Sequence, residues 1–169
     1  GTTMSTLIIL RGNSASGKSS AAGILQKQLG ANTLLISQDR VRREMLWTPD
    51  GKDTKALPLM ITLLQYGENH CEHVILEGIL YAEWYGPLFE EAIRLFGTGI
   101  FAYYYDISFE ETLKRHQTRE KRFEFGEESL RKWWREKDFL ESIPEKVFRE
   151  DVSLDDAVKR ILADIGNQQ

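Results

Sequence analysis

The chain has 169 residues, 41% hydrophobic and 28% charged, which is the balance of an ordinary globular domain long enough to bury a core. Its net charge of −4 argues against a broad groove for long nucleic acids, which needs a basic excess. No apolar run approaches the roughly 18 to 20 residues that span a bilayer, no secretory leader is visible, and the single cysteine, Cys71, excludes an internal disulfide, so a cytoplasmic location is expected.

Residues 1–3 stand ahead of Met4 and are expected to be a scar of expression. Thr6 to Arg11 is a short apolar run followed by glycine, the pattern of a buried parallel strand. Lys18 to Leu29 repeats apolar residues on a helical period, with Gly30 as its stop. Leu34 to Ser37 predicts a second strand, Asp39 to Leu46 a short helix, and Pro49, Asp50 and Gly51 a turn. Thr54 to Cys71 predicts a helix with Pro58 in its first turn. Val74 to Glu77 predicts a third strand that ends at Gly78. Pro87 to Phe96 fits a helix, and Gly97 and Gly99 break it before a fourth strand, Ile100 to Tyr105. Phe109 to Gln117 and Glu127 to Leu140 carry helical patterns, and the charged stretch between them is expected to be a lid spanning about 115–128. Lys146 to Arg149 predicts a last strand and Leu154 to Ile165 an amphipathic helix. Strands alternating with helices imply one α/β domain over residues 4–169, a parallel sheet of about five strands covered on both faces.

The segment Gly12, Asn13, Ser14, Ala15, Ser16, Gly17, Lys18, Ser19 satisfies the pattern G-x-x-x-x-G-K-[ST] in full, after a strand and before a helix. In that context the glycines let backbone N–H groups curl around phosphates at a helix N-terminus. Lys18 is expected to reach the β- and γ-phosphates of ATP and the Ser19 hydroxyl to bind Mg²⁺, with Ser20 and Arg115 completing the nucleotide site. The motif alone permits a kinase, a GTPase switch or a motor. No Asn-Lys-x-Asp tetrapeptide is present, which weighs against a GTPase, and no second domain transmits force.

Beyond the loop, Asp39 follows the second strand, at the carboxyl end of the sheet where ligands of such folds lie. A carboxylate there can take the proton of an attacking hydroxyl, and it can equally be a helix N-cap. Arg42, three residues on, shares its side of a helical turn. Glu77 ends the third strand, where one acid suffices to orient the shell of Mg²⁺. From Lys114 to Lys137 there are nine lysines and arginines against five glutamates, which suggests a local anion site. Arg115, Arg119 and Arg122 would align on a continuing helix, and Arg119 is the residue expected to neutralise the transferring phosphoryl group.

These residues resemble the P-loop kinase group that contains polynucleotide 5′-hydroxyl kinases, chloramphenicol phosphotransferase and zeta toxins. The likeness runs through the P-loop, Asp39-x-x-Arg42, Leu113 to Arg119 and Leu130 to Trp134. It implies the three-layer α/β/α P-loop NTPase fold with a helical lid, Asp39 as general base, Arg42 on an acceptor-side phosphate and Arg119 as lid arginine. Glu77 differs from the acid usual in that group. The expected reaction is transfer of a phosphoryl group from Mg-ATP to a hydroxyl of a small molecule or nucleoside. A nucleic-acid 5′ end is the alternative acceptor, and a non-catalytic ATP-binding regulator the alternative role.

Other features carry less. His70, Cys71 and His73 are too few for a closed zinc site. Trp47, Tyr81, Trp84 and Tyr85 fall beside the expected acceptor side and serve either as a stacking surface or as core. Trp133 and Trp134 diverge on a helix, which predicts one in the core and one over the lid.

Overall fold

The structure is a computed structural model that describes residues 4–117 and 126–166. Five parallel strands form its sheet: β1 (Thr6–Gly12), β2 (Leu34–Ser37), β3 (His73–Gly78), β4 (Ile100–Tyr105) and β5 (Lys146–Phe148), in the spatial order β2-β3-β1-β4-β5. With strands on both edges and helices over both faces, β1 has no solvent face, so its apolar run is continuous and Leu7 to Leu10 are fully buried.

The two-residue period of the strands divides this apolar set between two layers of helices. Leu7, Ile9, Val74 and Leu76 face α3 (Ala56–His70) and α4 (Gly86–Phe96), which contribute Met60, Leu64, Leu88, Phe89 and Phe96. Ile8, Leu10 and Ile75 face α1 (Lys18–Leu29) and α7 (Leu154–Gly166), which contribute Ala21, Leu25, Val158, Ile161 and Ile165. This is the three-layer α/β/α arrangement of the P-loop fold. In α3, Gly67 lets the helix lie close on the sheet, since a Cβ there would stand 2.6 Å from Val74 Cγ2.

The connection leaving β1 packs its helix on one face, and α4, which follows β3, packs on the other. The carboxyl ends of β1 and β3 therefore flank a topological switch point, where an open α/β sheet leaves a crevice for ligands.

Two elements differ from their sequence patterns. The segment after β2 begins as α2 (Gln38–Arg40) and widens into a π-helix over Val41–Leu46, ending at Trp47 with φ of 49°. The helix expected to run from Glu127 to Leu140 stops as α6 (Glu127–Trp133), beyond α5 (Phe109–Gln117). Trp134 turns extended (φ −70°, ψ 132°) because tertiary hydrogen bonds capture the residues after it.

Arg11 makes much of that capture. Its side chain is fully buried at the end of β1 and sits between the rings of Phe89 and Tyr104, 5.6 and 5.5 Å from their centroids. Nε and Nη2 donate to Leu80 O at 3.1 and 2.9 Å, Nη2 to Asp138 Oδ2 at 3.0 Å, and Nη1 to Glu145 Oε2 at 2.9 Å. One guanidinium thus binds the loop after β3 to the segment after α6, and its charge is matched by two carboxylates, as burial demands.

Candidate active site

The P-loop closes on itself through strained backbone. Gly12 has φ of 150° and packs so tightly on β4 that a Cβ would stand 2.9 Å from Tyr105 Cβ. Ala15 and Gly17 also take positive φ, 60° and 105°. Gly17 caps α1, so Lys18 and Ser19 open the helix at its electropositive end. Lys18 is buried, and its Nζ donates to Asn13 O at 3.0 Å, which folds the ammonium back over the loop.

Across the switch point, Ser19 Oγ donates to Glu77 Oε1 at 3.2 Å. A hydroxyl and a carboxylate brought together from α1 and β3 suit a small hard cation that takes few protein ligands and keeps water. The Ser16 hydroxyl, buried within the loop, has no hydrogen-bond partner among the described residues. An orphaned donor there fits a bound phosphate oxygen. Both observations match a Mg-nucleotide.

A cleft of about 740 Å³ extends from the loop and is walled by four further elements. From α2 and the π-helix come Asp39, Arg42 and Arg43; Asp39 Oδ1 accepts Arg42 Nη2 at 3.0 Å and Arg43 Nε at 2.8 Å. Arg42 is mostly buried, and its Nε has no hydrogen-bond partner among the described residues. Arg115 reaches from α5 to the loop, where Nη1 donates to Ser16 O at 2.8 Å. Ser14, Ala15 and Ser20 line the cleft beside these groups, as do Asp50, Tyr81, Trp84, Lys132, Trp133, Trp134 and Arg135. Arg119 and Arg122, with most of the expected lid, lie outside the described residues.

The aromatic residues separate into distinct roles. Tyr81 and Trp84 meet edge to face at 4.7 Å and line the cleft. Tyr85 is fully buried, and burial first, then its bond to Asp50, pushes its hydroxyl well above the ordinary phenol range. Trp47 is 91% exposed and stands outside the cleft lining. Neither Trp133 nor Trp134 is core: Trp133 is 46% exposed, and Trp134 lies edge-on to Phe109 at 5.3 Å. Both line the cleft, because α6 ends between them rather than carrying one inward.

The sequence patterns did not single out Arg43, Asp50, Gln38 or Arg135. The i, i+4 spacing from Asp39 was the available signal for Arg43. Asp50 reads as a turn residue, and Arg135 as part of an exposed helix.

No protein-family model matches the chain, and no curated protein matches it by sequence. Solved structures do. A gluconokinase from Sinorhizobium meliloti 1021 superposes with a TM-score of 0.67 at 16% identity, over 98% of this chain and 94% of that one. The APS kinase of Mycobacterium tuberculosis, solved with AMPPNP and APS, gives 0.66 at 16% identity over 97% and 98%. A tunicamycin resistance protein from Deinococcus radiodurans gives 0.64 at 16% identity over 96% of each chain. At that identity the likeness is one of fold.

Proposed function

We propose that the chain is an ATP-dependent phosphotransferase that moves the γ-phosphoryl group of Mg-ATP to a hydroxyl of a small molecule or nucleoside. The observation that carries this reading is that the P-loop, the Ser19–Glu77 pair and Asp39 line one cleft. The P-loop amides and Lys18 hold and orient the phosphates. Ser19 and Glu77 are the residues that would hold Mg²⁺, which when bound neutralises charge on the β- and γ-phosphates. Asp39 accepts the proton of the acceptor hydroxyl as its oxygen attacks phosphorus. Arg42 and Arg43 fix the carboxylate on one oxygen and lend positive charge to the acceptor side. Arg115 steadies the loop through Ser16 O, and Arg119 is assigned to the transferring phosphoryl group.

A cleft of about 740 Å³ with aromatic walls suits a small acceptor, and the neighbours named gluconokinase and APS kinase support phosphoryl transfer at the level of fold. The cations Arg42, Arg43 and Lys132 in the same cleft favour a second reading, a nucleic-acid 5′-hydroxyl. A salt titration of oligonucleotide binding separates the two, since phosphate contacts give a steep slope.

The test is acceptor-dependent ADP release across a panel of hydroxyl compounds. Asp39→Asn is expected to lower transfer by about 10² to 10⁴ while ATP still binds. Lys18→Ala is expected to lower turnover by about 10² or more. Full transfer by the Asp39 variant sinks the base assignment, and full turnover by the Lys18 variant sinks the donor site.

A further inference from the structure

Asp50 lies in the turn between the π-helix and α3 and lines the same cleft as Asp39, with no part in the chemistry above. Its carboxylate is held by three protein donors. Oδ1 accepts the Tyr85 hydroxyl at 2.6 Å and the Gly51 N–H at 2.9 Å, and Oδ2 accepts Gln38 Nε2 at 3.1 Å. An ionised carboxylate offers about four acceptor positions, so one position on Oδ2 is left among the described residues. All three donors are neutral, in contrast to the two arginines on Asp39.

The support beneath this carboxylate is stiff. Tyr85 is fully buried and Gln38 is 3% exposed. Gln38 Nε2 also donates to Tyr85 Oη at 3.0 Å, so the three side chains close a ring of hydrogen bonds. Gly78, at the end of β3, packs against Gln38 so closely that a Cβ would stand 2.7 Å from Gln38 Cβ. Gln38 directly precedes Asp39, so one base anchors both carboxylates at the acceptor end. Tyr81, largely buried, and Trp84 line the same cleft, with the Arg135 guanidinium over both rings. A fixed carboxylate with one open acceptor position, beside Trp84 and the Arg135 guanidinium, suits a compact ring that carries more than one hydroxyl.

We propose that Asp50 is a specificity-determining residue of the acceptor subsite, taking a hydrogen bond from a second hydroxyl of the acceptor while Asp39 takes the proton of the hydroxyl that is phosphorylated. The acceptor is then a polyol ring, a sugar, cyclitol or ribose, and not an alcohol with a single hydroxyl. This rests on the phosphotransferase reading above.

The experiment measures acceptor-dependent ADP release with ribose, glucose, myo-inositol and adenosine, each beside a monodeoxy counterpart, for the wild type, Asp50→Asn and Tyr85→Phe. Binding of a fluorescent ATP analogue is measured in parallel. The wild type is expected to favour the full polyol of at least one pair by about tenfold or more in kcat/KM. Asp50→Asn is expected to reduce that preference to about threefold or less, through the KM of the acceptor and not the KM of ATP. Tyr85→Phe keeps the charge but frees the carboxylate to move, and is expected to weaken the preference less. Unchanged preference in both variants overturns the inference. So does a wild type that binds the ATP analogue yet discriminates no pair or phosphorylates none. Failure to bind the analogue sinks the donor reading instead.

Discussion

The side chain of Asn13 brackets the backbone of Arg135: Nδ2 donates to Arg135 O at 2.7 Å, and Oδ1 accepts the Arg135 N–H at 2.9 Å. The second residue of the P-loop thereby holds the segment that leaves α6. Arg135 in turn lays its guanidinium over Tyr81, 4.1 Å from the ring centroid, and pairs with Glu83 at 2.9 Å. The Tyr81 hydroxyl donates to Trp133 O. The phosphate loop and the aromatic wall of the cleft are one connected unit. Replacing Asn13 by alanine removes both bonds at once. Transfer is expected to fall about tenfold, with ATP affinity changed only a few-fold; steady-state kinetics with an acceptor that carries the free hydroxyl check this, and an unaltered kcat with acceptor would show the bracket to be idle.

Ser19 and Glu77 meet at 3.2 Å from different elements. Glu77→Gln keeps the shape and removes the charge that the proposed mechanism assigns to holding Mg²⁺. The Mg²⁺ concentration for half-maximal turnover is expected to rise about 10- to 100-fold. A Mg²⁺ titration at fixed ATP reads this directly, and an unmoved midpoint argues that Glu77 is only a partner for the serine hydroxyl.

Arg11→Met leaves Glu145 and Asp138 without their buried cation. Removing one partner of such a set costs about 3–5 kcal/mol. Denaturant unfolding measures the loss. A variant that keeps wild-type stability would show that the two carboxylates find other partners.

Five tyrosines, Tyr81, Tyr85, Tyr103, Tyr104 and Tyr105, are held above their ordinary value by burial, Tyr104 to about 12. The folded chain therefore binds more protons than the unfolded chain above a pH of about 10, the unfolded phenol value. Stability from these groups is full below that pH and is lost as pH rises towards and through the folded values. Denaturant midpoints at rising alkaline pH are expected to fall together with the appearance of phenolate absorbance. Phenolate formation by more than one of the six tyrosines well before unfolding would contradict the burial, since Tyr66 alone is exposed.

Much of this molecule can be derived from local pattern. The unbroken apolar run of Leu7 to Leu10 and the helical period of Lys18 to Leu29 suffice to place strand and helix around the P-loop, because burial on both faces selects a continuous apolar run. The motif itself encodes its geometry, since Gly12 and Gly17 stand where φ is positive. Long-range contacts are different. Glu127 to Leu140 has a helical pattern, yet α6 stops at Trp133, since the bracket from Asn13 and the buried Arg11 outweigh local preference. The Arg42–Asp39 pair was legible from its spacing, whereas the Asp50 cluster was not, because Tyr85 and Gln38 reach it from elsewhere in the chain. The phosphate loop and the layers that carry it follow from local pattern, because they depend on neighbours a few residues apart. The far wall of the cleft could be seen only in the folded chain, because its residues come from separate segments joined by hydrogen bonds with no sequence period.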